Sequence, residues 1–591
     1  MSVPVTGTSP DQSRRDAGTV GADASRVVVV RSAPEALDHA RALGSSWADG
    51  ALRRDAAAVP DQDALDALRR SGLLGIVVPA EEGGLGAGAG LVADVVRILA
   101  AGDPALAQQV QGHVGNVHAV RTAQAPVRRA IFADVLERGA RFGNTNADGG
   151  AESVLRPVAG GYALDGTKAY STGSSTAEWL AAPALDPDGR SRLALVRSDA
   201  PGVSFDPRWD AIGQRATFSG STRFDGVLVR LDHVLSPWED PVAAEARFHP
   251  CQLIHPAIEV GIAEGVLGRA WSTGRRRSTA FARAAVDVAA ARALLRAAAA
   301  RVDELGTGSD ATTVARAGLA IHAAKALAYR TSVRTADAAV GWLEGPDAEH
   351  GAWVELAWRN ARTHAVHDPG RWSFHHVGRH ALTGEFPASR LPALRDRATV
   401  PVPVTAPVVP AGLRPDELGP TPGAGRTASG GPAPGVAAVR SAAAAELRWA
   451  AHEADVVRGA LRDALAFVGT RTRAWPEAGV ERATDEPHAI LRFGELTVTL
   501  AALDGLIADG ARALVARDPA GAQVAASTAR LFALEHGRRI VSEALEIAGA
   551  SALTRARGAD RPWRALVRSQ VEHPPWWEWS DLAAAAAAVD A

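Results

Sequence analysis

Two histidines three positions apart, His364 and His367, stand in the run Trp358-Arg359-Asn360-Ala361-Arg362-Thr363-His364-Ala365-Val366-His367-Asp368-Pro369. On a helix that spacing sends both rings out from one face. Imidazole exchanges protons near neutral pH and can hold an oxygen species by hydrogen bond. The same rings would serve equally as satisfied structural groups at the end of a bundle, and residue type alone leaves both readings open. With Asp368, His375, His376 and His380 they also form a cluster whose ligand types suit Zn or Fe(II). Trp372 and Phe374 in the same stretch point instead to ordinary packing.

The run has a second copy, Trp563-Arg564-Ala565-Leu566-Val567-Arg568-Ser569-Gln570-Val571-Glu572-His573-Pro574. Trp, Arg, Val and Pro recur in register, but Ser569 and Glu572 stand where the two histidines were. Each copy follows a long Ala-rich helical stretch. The first bundle therefore reads as catalytic and the second as structural.

The elements that must position these residues belong to a multi-domain chain, because 591 residues exceed what one core holds. A composition of 47% hydrophobic and 22% charged residues is ordinary for a soluble globular protein. A net charge of -2 provides no field to draw the chain to nucleic acid or anionic lipid. Cys251 is the single cysteine, which excludes an intrachain disulfide and fits a reducing cytoplasm. No charged segment followed by an apolar core opens the sequence, and Arg, Asp and Glu break the Ala-rich stretches before they could span a bilayer. The expectation is a cytoplasmic protein with neither a membrane nor a nucleic-acid partner.

Residues 1–26 are rich in Ser, Thr, Gly, Asp and Pro and read as a disordered tail. Helical periodicity from about Ala33 predicts an N-terminal helical domain over 27–140, with Asp103-Pro104 as a helix start. Short alternating runs punctuated by Gly, Asp and Pro predict a β domain over 141–240. It includes a strand and turn at Gly161–Thr167, a buried strand at Leu193–Val196 and another strand at Thr222–Val229. Helices return at about Ile254, in a first C-terminal bundle spanning 245–395. A Pro/Gly-rich linker over 396–436 separates it from a second bundle over 437–591.

The first roughly 395 residues resemble the acyl-CoA dehydrogenase superfamily. Ser71-Gly72-Leu73-Leu74-Gly75-Ile76-Val77-Val78-Pro79 with Gly83-Gly84-Leu85-Gly86, Asp103-Pro104-Ala105-Leu106-Ala107 with His113, and Gly166-Thr167-Lys168-Ala169-Tyr170-Ser171-Thr172-Gly173 occur in the family's order and spacing. Phe142-Gly143-Asn144, Trp209-Asp210-Ala211-Ile212-Gly213-Gln214-Arg215 with Ser219-Gly220-Ser221-Thr222, and the Arg-Thr-His-Ala-Val-His-Asp-Pro run are similar to the branch typified by dibenzothiophene monooxygenase and the sulfur-acquisition oxidoreductases.

That resemblance implies a mainly α fold with a central antiparallel β-barrel-like domain, to which this chain adds a duplicated C-terminal bundle. It implies a flavin-dependent monooxygenase and a homo-oligomer. Reduced FMN would come from a separate flavin reductase, and O2 would be used on a small organosulfur or other heteroatom compound. His113, His364 and His367 would handle the oxygen species or orient substrate. Asn144, Thr172 and Ser174 would meet the polar edge of the isoalloxazine, and Trp209 would wall the ring or substrate pocket. Ser219 and Ser221 would meet the phosphate, with Arg359 pairing it bidentately. The histidines are accounted for without a metal.

Two alternatives stand beside this reading. One is an FAD-dependent acyl-CoA dehydrogenase, which needs a carboxylate base over the flavin. In the family's common pattern that base is a Glu, whereas His367-Asp368 stands at its position here. The other is a non-catalytic scaffold descended from the enzyme. The connection after Trp271 is also shorter than the family's. Its counterpart stands in the second bundle, at Arg471-Thr472-Arg473-Ala474-Trp475-Pro476. In the resembled enzymes that connection comes from a neighbouring subunit. The second bundle is therefore expected to act as an internal partner, supplying Arg471, Arg473 and Trp475 to the flavin.

Overall fold

The computed structural model describes residues 27–148, 152–206, 208–272, 279–342, 348–367, 370–387, 436–549, 552 and 558–572. The expected tail over 1–26, the linker up to residue 435 and Asp368 lie outside the described residues. No described helix is long and apolar enough to cross a membrane.

Five helices open the described chain: α1 (Ala33–Ala57), α2 (Gln62–Arg70), α3 (Ala89–Gly102), α4 (Pro104–Val120) and α5 (Ala125–Arg138). Their starts follow local chemistry. Ser32 accepts from the Glu35 N–H to cap α1, and Asp103 accepts from the Ala105 and Leu106 N–H groups to cap α4. Proline stands at the first turn of both helices, where its missing N–H costs nothing. Helix α4 is buried along nearly its whole length, including Gln108, Gln109, Gln111 and His113. Polar groups held that deep need partners.

The middle segment contributes β1 (Phe142–Asn144), β2 (Ala147–Asp148), β3 (Val154–Val158), β4 (Gly161–Ala169), β5 (Trp179–Leu185), β6 (Ser191–Arg197), β7 (Val203–Asp206), β8 (Ser221–Arg230) and β9 (Val234–Leu235). They form one nine-stranded sheet in the order β7-β8-β4-β3-β5-β6-β9, with β1 on β5 and β2 on β4. Two expectations are corrected here. The sheet does not close into a barrel, because its end strands β7 and β9 do not pair with each other. Nor is it wholly antiparallel, since β1 and β3 both run parallel to β5. The end strands are short, four and two residues, which limits the unpaired edge. Asp165-Gly166 is not a turn either. Strand β4 runs through it, and the register against β8 shifts between Leu164 and Gly166. Gly166 has φ 148, and a Cβ there would overlap Ser153 Oγ. The shift changes the phase of burial along β8, from Thr222 and Phe224 to Val227 and Val229.

The first bundle comprises α6 (Pro241–Gln252), α7 (Ile254–Ser272), α8 (Thr279–Asp303), α9 (Ala311–Val340), α10 (Ala348–His367) and α11 (Gly370–Thr383). It begins earlier than its periodicity suggests, because α6 tolerates Pro250 in its last turn. A second helical block follows: α12 (Val436–Thr470), α13 (Pro487–Val515), α14 (Pro519–Ala548) and α15 (Arg561–Glu572). Helix α13 packs on α8, α9 and α11, and α14 on α8. Arg296–Asp509 at 3.5 Å and His536–Asp287 at 3.4 Å cross this junction. One apolar cluster runs continuously from α1 into the second block, while the sheet keeps its own, built on Leu155, Leu164, Leu180, Phe224 and Val227.

Candidate active site

Helix α10 carries Asn360 and His364 four residues apart, both 4% exposed, so one face of the helix delivers two polar groups into the interior. Each meets a different element. His364 Nδ1 lies 3.2 Å from Glu259 Oε1 on α7, and His364 Nε2 lies 3.3 Å from Gln108 Oε1 on α4. Asn360 Oδ1 accepts from the Gln214 backbone N–H at 2.6 Å. His367 sits at the exposed end of α10. Its ring centroid is 5.0 Å from that of His255, which is buried one turn before Glu259 on α7. His255 and His364 centroids are 5.9 Å apart. Three imidazoles and one carboxylate thus gather where α7 meets α10.

His113 is placed differently. Its Nε2 faces the Leu74 carbonyl at 2.9 Å and its Nδ1 accepts from the Phe142 N–H at 3.3 Å. The ring is neutral, with Nε2 bearing the hydrogen, and both nitrogens are occupied by backbone. Burial pushes its pKa down to about 4. The structure does not bring it together with His364 and His367.

The segment between β7 and β8 meets α10 at Asn360. Gln214 adopts φ 55, an uncommon conformation for a non-glycine residue. Three bonds hold it there. Asn360 takes its N–H, and its carbonyl accepts from Trp209 Nε1 at 3.0 Å and Thr217 Oγ1 at 2.7 Å. Its side chain is buried, yet both amide atoms lack a hydrogen-bond partner among the described residues. Gln108 Nε2 is in the same condition.

From Gln214 a row of hydroxyls runs toward the sheet. Thr217 donates to the Gln214 carbonyl, Ser219 donates to Thr217 at 2.8 Å, and Thr172 is 2.8 Å from Ser219. Each hydroxyl has one hydrogen, so Thr172 must donate to Ser219, which leaves its own oxygen as an acceptor. Ser174 donates to the Ser171 carbonyl at 2.8 Å and accepts from Thr222. Asn144, on β1, binds the Thr172 carbonyl through its N–H at 3.0 Å and accepts from the Asn146 N–H through Oδ1. Ser221 opens β8 opposite Asp206. Trp209 packs edge-on against Tyr170. Asn144, Thr172, Ser174, Trp209, Ser219 and Ser221 therefore fall along one side of the sheet and its connecting segment.

Three candidates lie elsewhere or are otherwise engaged. Arg359 ties α10 to its surroundings, through Asp55 at 2.8 Å, Glu355 at 3.2 Å and the Ile212 carbonyl at 2.8 Å. Its charge is already met in this chain by those carboxylates. Arg471 and Arg473 are exposed on the segment between α12 and α13. Asp485 of that segment pairs with Arg379 at 3.5 Å, which places it near the last turn of α11, away from His367. Among the described residues, no hydrogen bond or ion pair joins Arg471 or Arg473 to the sheet. Among the described residues no group of three or more His, Cys, Asp or Glu could hold a metal ion.

Sequence reasoning missed Gln108, Gln214, His255, Glu259 and Asn360. A usable signal existed for two of them. His255 and Glu259 are four apart in the otherwise apolar first half of α7, Ile254 to Ala263, where a carboxylate must have a partner.

No family model matches the chain. Among characterised relatives, the probable FMNH2-dependent monooxygenase SfnC of Pseudomonas putida is 30% identical over 381 residues, covering 60% of this chain and 96% of that protein. The dibenzothiophene monooxygenase of Rhodococcus qingshengii is 28% identical over 388 residues, 59% of this chain and 93% of the relative. FMN-bound TdsC from Paenibacillus sp. A11-2 superposes with a TM-score of 0.56 at 27% identity, covering 60% of this chain and 98% of that one. The chain belongs to the dibenzothiophene monooxygenase branch of the acyl-CoA dehydrogenase superfamily. It is a flavin-dependent oxidoreductase with an added segment, since about two fifths of it lies outside these alignments.

The residues present fit a flavin. An isoalloxazine offers donors and acceptors along one edge. The buried Gln214 amide, without a partner at either end among the described residues, and the acceptor oxygen of Thr172 are complementary to such an edge. Burying a carboxamide without a partner costs on the order of 2 kcal/mol or more, which a bound ligand would remove.

Proposed function

We propose that the protein is a two-component monooxygenase that takes reduced FMN from a separate reductase and uses O2 to oxygenate a small organosulfur or related heteroatom compound. The observation that carries this reading is the buried His364, which meets Gln108 at one nitrogen and is backed by Glu259 at the other. Bound reduced FMN supplies the two electrons with which O2 is activated. The chain supplies the rest. Gln214, Thr172, Asn144 and Ser174 orient the ring and Ser221 serves its phosphate, while the Ser219 hydroxyl, whose hydrogen goes to Thr217, holds Thr172 in place. His364 holds and moves a proton at Nε2, with His367 and His255 beside it. His113, whose ring bridges Leu74 and Phe142, supports the wall from behind.

In this reading the domains follow the expected boundaries, and the second block is a duplicate of the first bundle's helices. Helices α13 and α14, of 29 and 30 residues, repeat α8 and α9, of 25 and 30. Helix α15 repeats α10, with Trp563-Arg564 in place of Trp358-Arg359. Arg471 and Arg473, remote from the sheet in their own chain, would serve a phosphate only across a contact with a second copy. In this reading the enzyme works as a homo-oligomer in the cytoplasm.

The deciding experiment mixes the protein with FMNH2, a thioether, sulfinate or thiophene, and 18O2. Incorporation of one labelled oxygen into the product is expected. Reduction of bound flavin by an acyl-CoA under anaerobic conditions would establish the dehydrogenase instead.

A further inference from the structure

Glu259 is 2% exposed and stands on a helix whose neighbouring positions, Ala257, Ile258, Val260 and Ile262, are buried and apolar. A carboxylate held there needs a partner of opposite charge or a set of donors. Across the helix junction, His364 Nδ1 lies 3.2 Å from its Oε1. The other ring nitrogen, Nε2, lies 3.3 Å from the Gln108 carbonyl oxygen. A carboxylate and an amide oxygen both only accept, so with the Gln108 carboxamide turned this way each ring nitrogen carries a hydrogen. A neutral imidazole has one N–H and would turn a lone pair toward one of the acceptors.

We infer that Glu259 is a positioning residue that holds His364 doubly protonated, with the Nε2 hydrogen presented beside Gln108. The carboxylate fixes the orientation of the ring as well as its charge. When the Nε2 proton passes to an oxygen atom of a bound ligand, the ring remains as the Nδ1–H tautomer, still bonded to an ionised Glu259. Gln108, whose amide nitrogen has no partner among the described residues, can then turn to donate to the emptied lone pair. Protonation from water restores the cation. Among the described residues, the titratable groups facing the ring include Glu259 and His255 from α7 and His367 from α10; α4 contributes the uncharged Gln108. The role of the proton rests on the monooxygenase reading, but the protonation state does not.

The test is histidine-selective 13C/15N NMR on the full chain without flavin, with the His364 signals assigned by their absence in His364→Asn. Both ring nitrogens protonated at pH 7.5 are expected in the wild-type protein, one in Glu259→Gln, and both again in Glu259→Asp. A neutral His364 in the wild type, or a cation that persists in Glu259→Gln, overturns the inference; the wild-type spectrum decides even if a variant does not fold. In turnover, Glu259→Gln should lower kcat about tenfold or more, as loss of a placed proton donor does, while the FMN dissociation constant stays nearly constant. An equal loss of FMN affinity would mark Glu259 as structural only. Failure of the wild-type protein to bind FMN would remove the functional reading and leave the NMR result standing.

Discussion

Asn360 on α10 and Gln214 in the β7–β8 connection are joined by a 2.6 Å hydrogen bond from the Gln214 N–H to Asn360 Oδ1. They are 146 residues apart in sequence. The bond lies one helical turn from His364, so the segment that presents the Gln214 amide is fixed to the helix that presents the imidazole. Sheet and bundle are thereby held in register.

Removing that acceptor should loosen the junction of sheet and bundle. Asn360→Ala leaves a buried N–H unsatisfied at a residue already held at φ 55, a loss of about 1–3 kcal/mol. Denaturant unfolding should show that destabilisation, and a flavin titration should show FMN bound at least about tenfold more weakly. Retained affinity would mean that the bond does not position the site.

Gln214→Met keeps the length of the side chain and removes two polar atoms that have no partner among the described residues. Replacing a buried, unpartnered amide by an apolar group of similar shape is neutral or stabilising. Without flavin the variant should melt at a temperature equal to or above that of the wild type. With saturating FMN the order should reverse, because the wild type alone gains the amide's bonds to the ligand. Thermal melts with and without FMN check both statements, and a lower melting temperature without flavin would refute the first.

The features that were legible in the sequence are those with local causes. Ser32 and Asp103 announce their helices because a cap is satisfied within three residues. His364 and His367 could be paired by helical spacing alone. Long-range features were hidden. Glu259 meets His364 across 105 positions, and nothing near either residue names the other. Asp165-Gly166 has turn chemistry, yet pairing with β8 on both sides carries the strand through it. The open edge of the sheet depends on where β7 and β9 end up, which alternation does not encode. His113 lies on the helix expected to face the flavin, but its ring engages the Leu74 carbonyl and the Phe142 N–H instead.

His113 makes the protein sensitive to acid. Its folded-state pKa, about 4, is below the ordinary 6.5 because burial disfavours the cation. Between these values the unfolded chain binds the extra proton and the folded chain does not, so stability falls as pH drops from 6.5 toward 4. The loss reaches roughly 3 kcal/mol once the pH is near the folded value. Urea unfolding across that range should show this slope, and His113→Gln should reduce it to the part that His118, pushed down to about 3 by burial, and other buried histidines contribute, while lowering stability at pH 7 through the altered bonds to Leu74 and Phe142. An unchanged slope would mean that other groups set the acid limit.

The junction between the two helical blocks rests on a crossing of α11 and α13 so close that backbone meets backbone. A Cβ on Gly378 would overlap the Ile490 carbonyl oxygen, and one on Gly494 would overlap that of Phe374. Alanine has the better helix propensity by about 1 kcal/mol. Gly378→Ala would therefore stabilise α11 if the helix stood alone. Against α13 the methyl group must push two helices apart, an overpacking cost of about 1–3 kcal/mol. The two contributions oppose each other, and the packing cost is the larger if the second block is docked as described. Amide hydrogen exchange separates the cases: Gly378→Ala should speed exchange in the middle of α11 and the first turns of α13, and leave β4 and β8 unaffected. Slower exchange in α11 with no change in α13 would show that the crossing does not hold the blocks together.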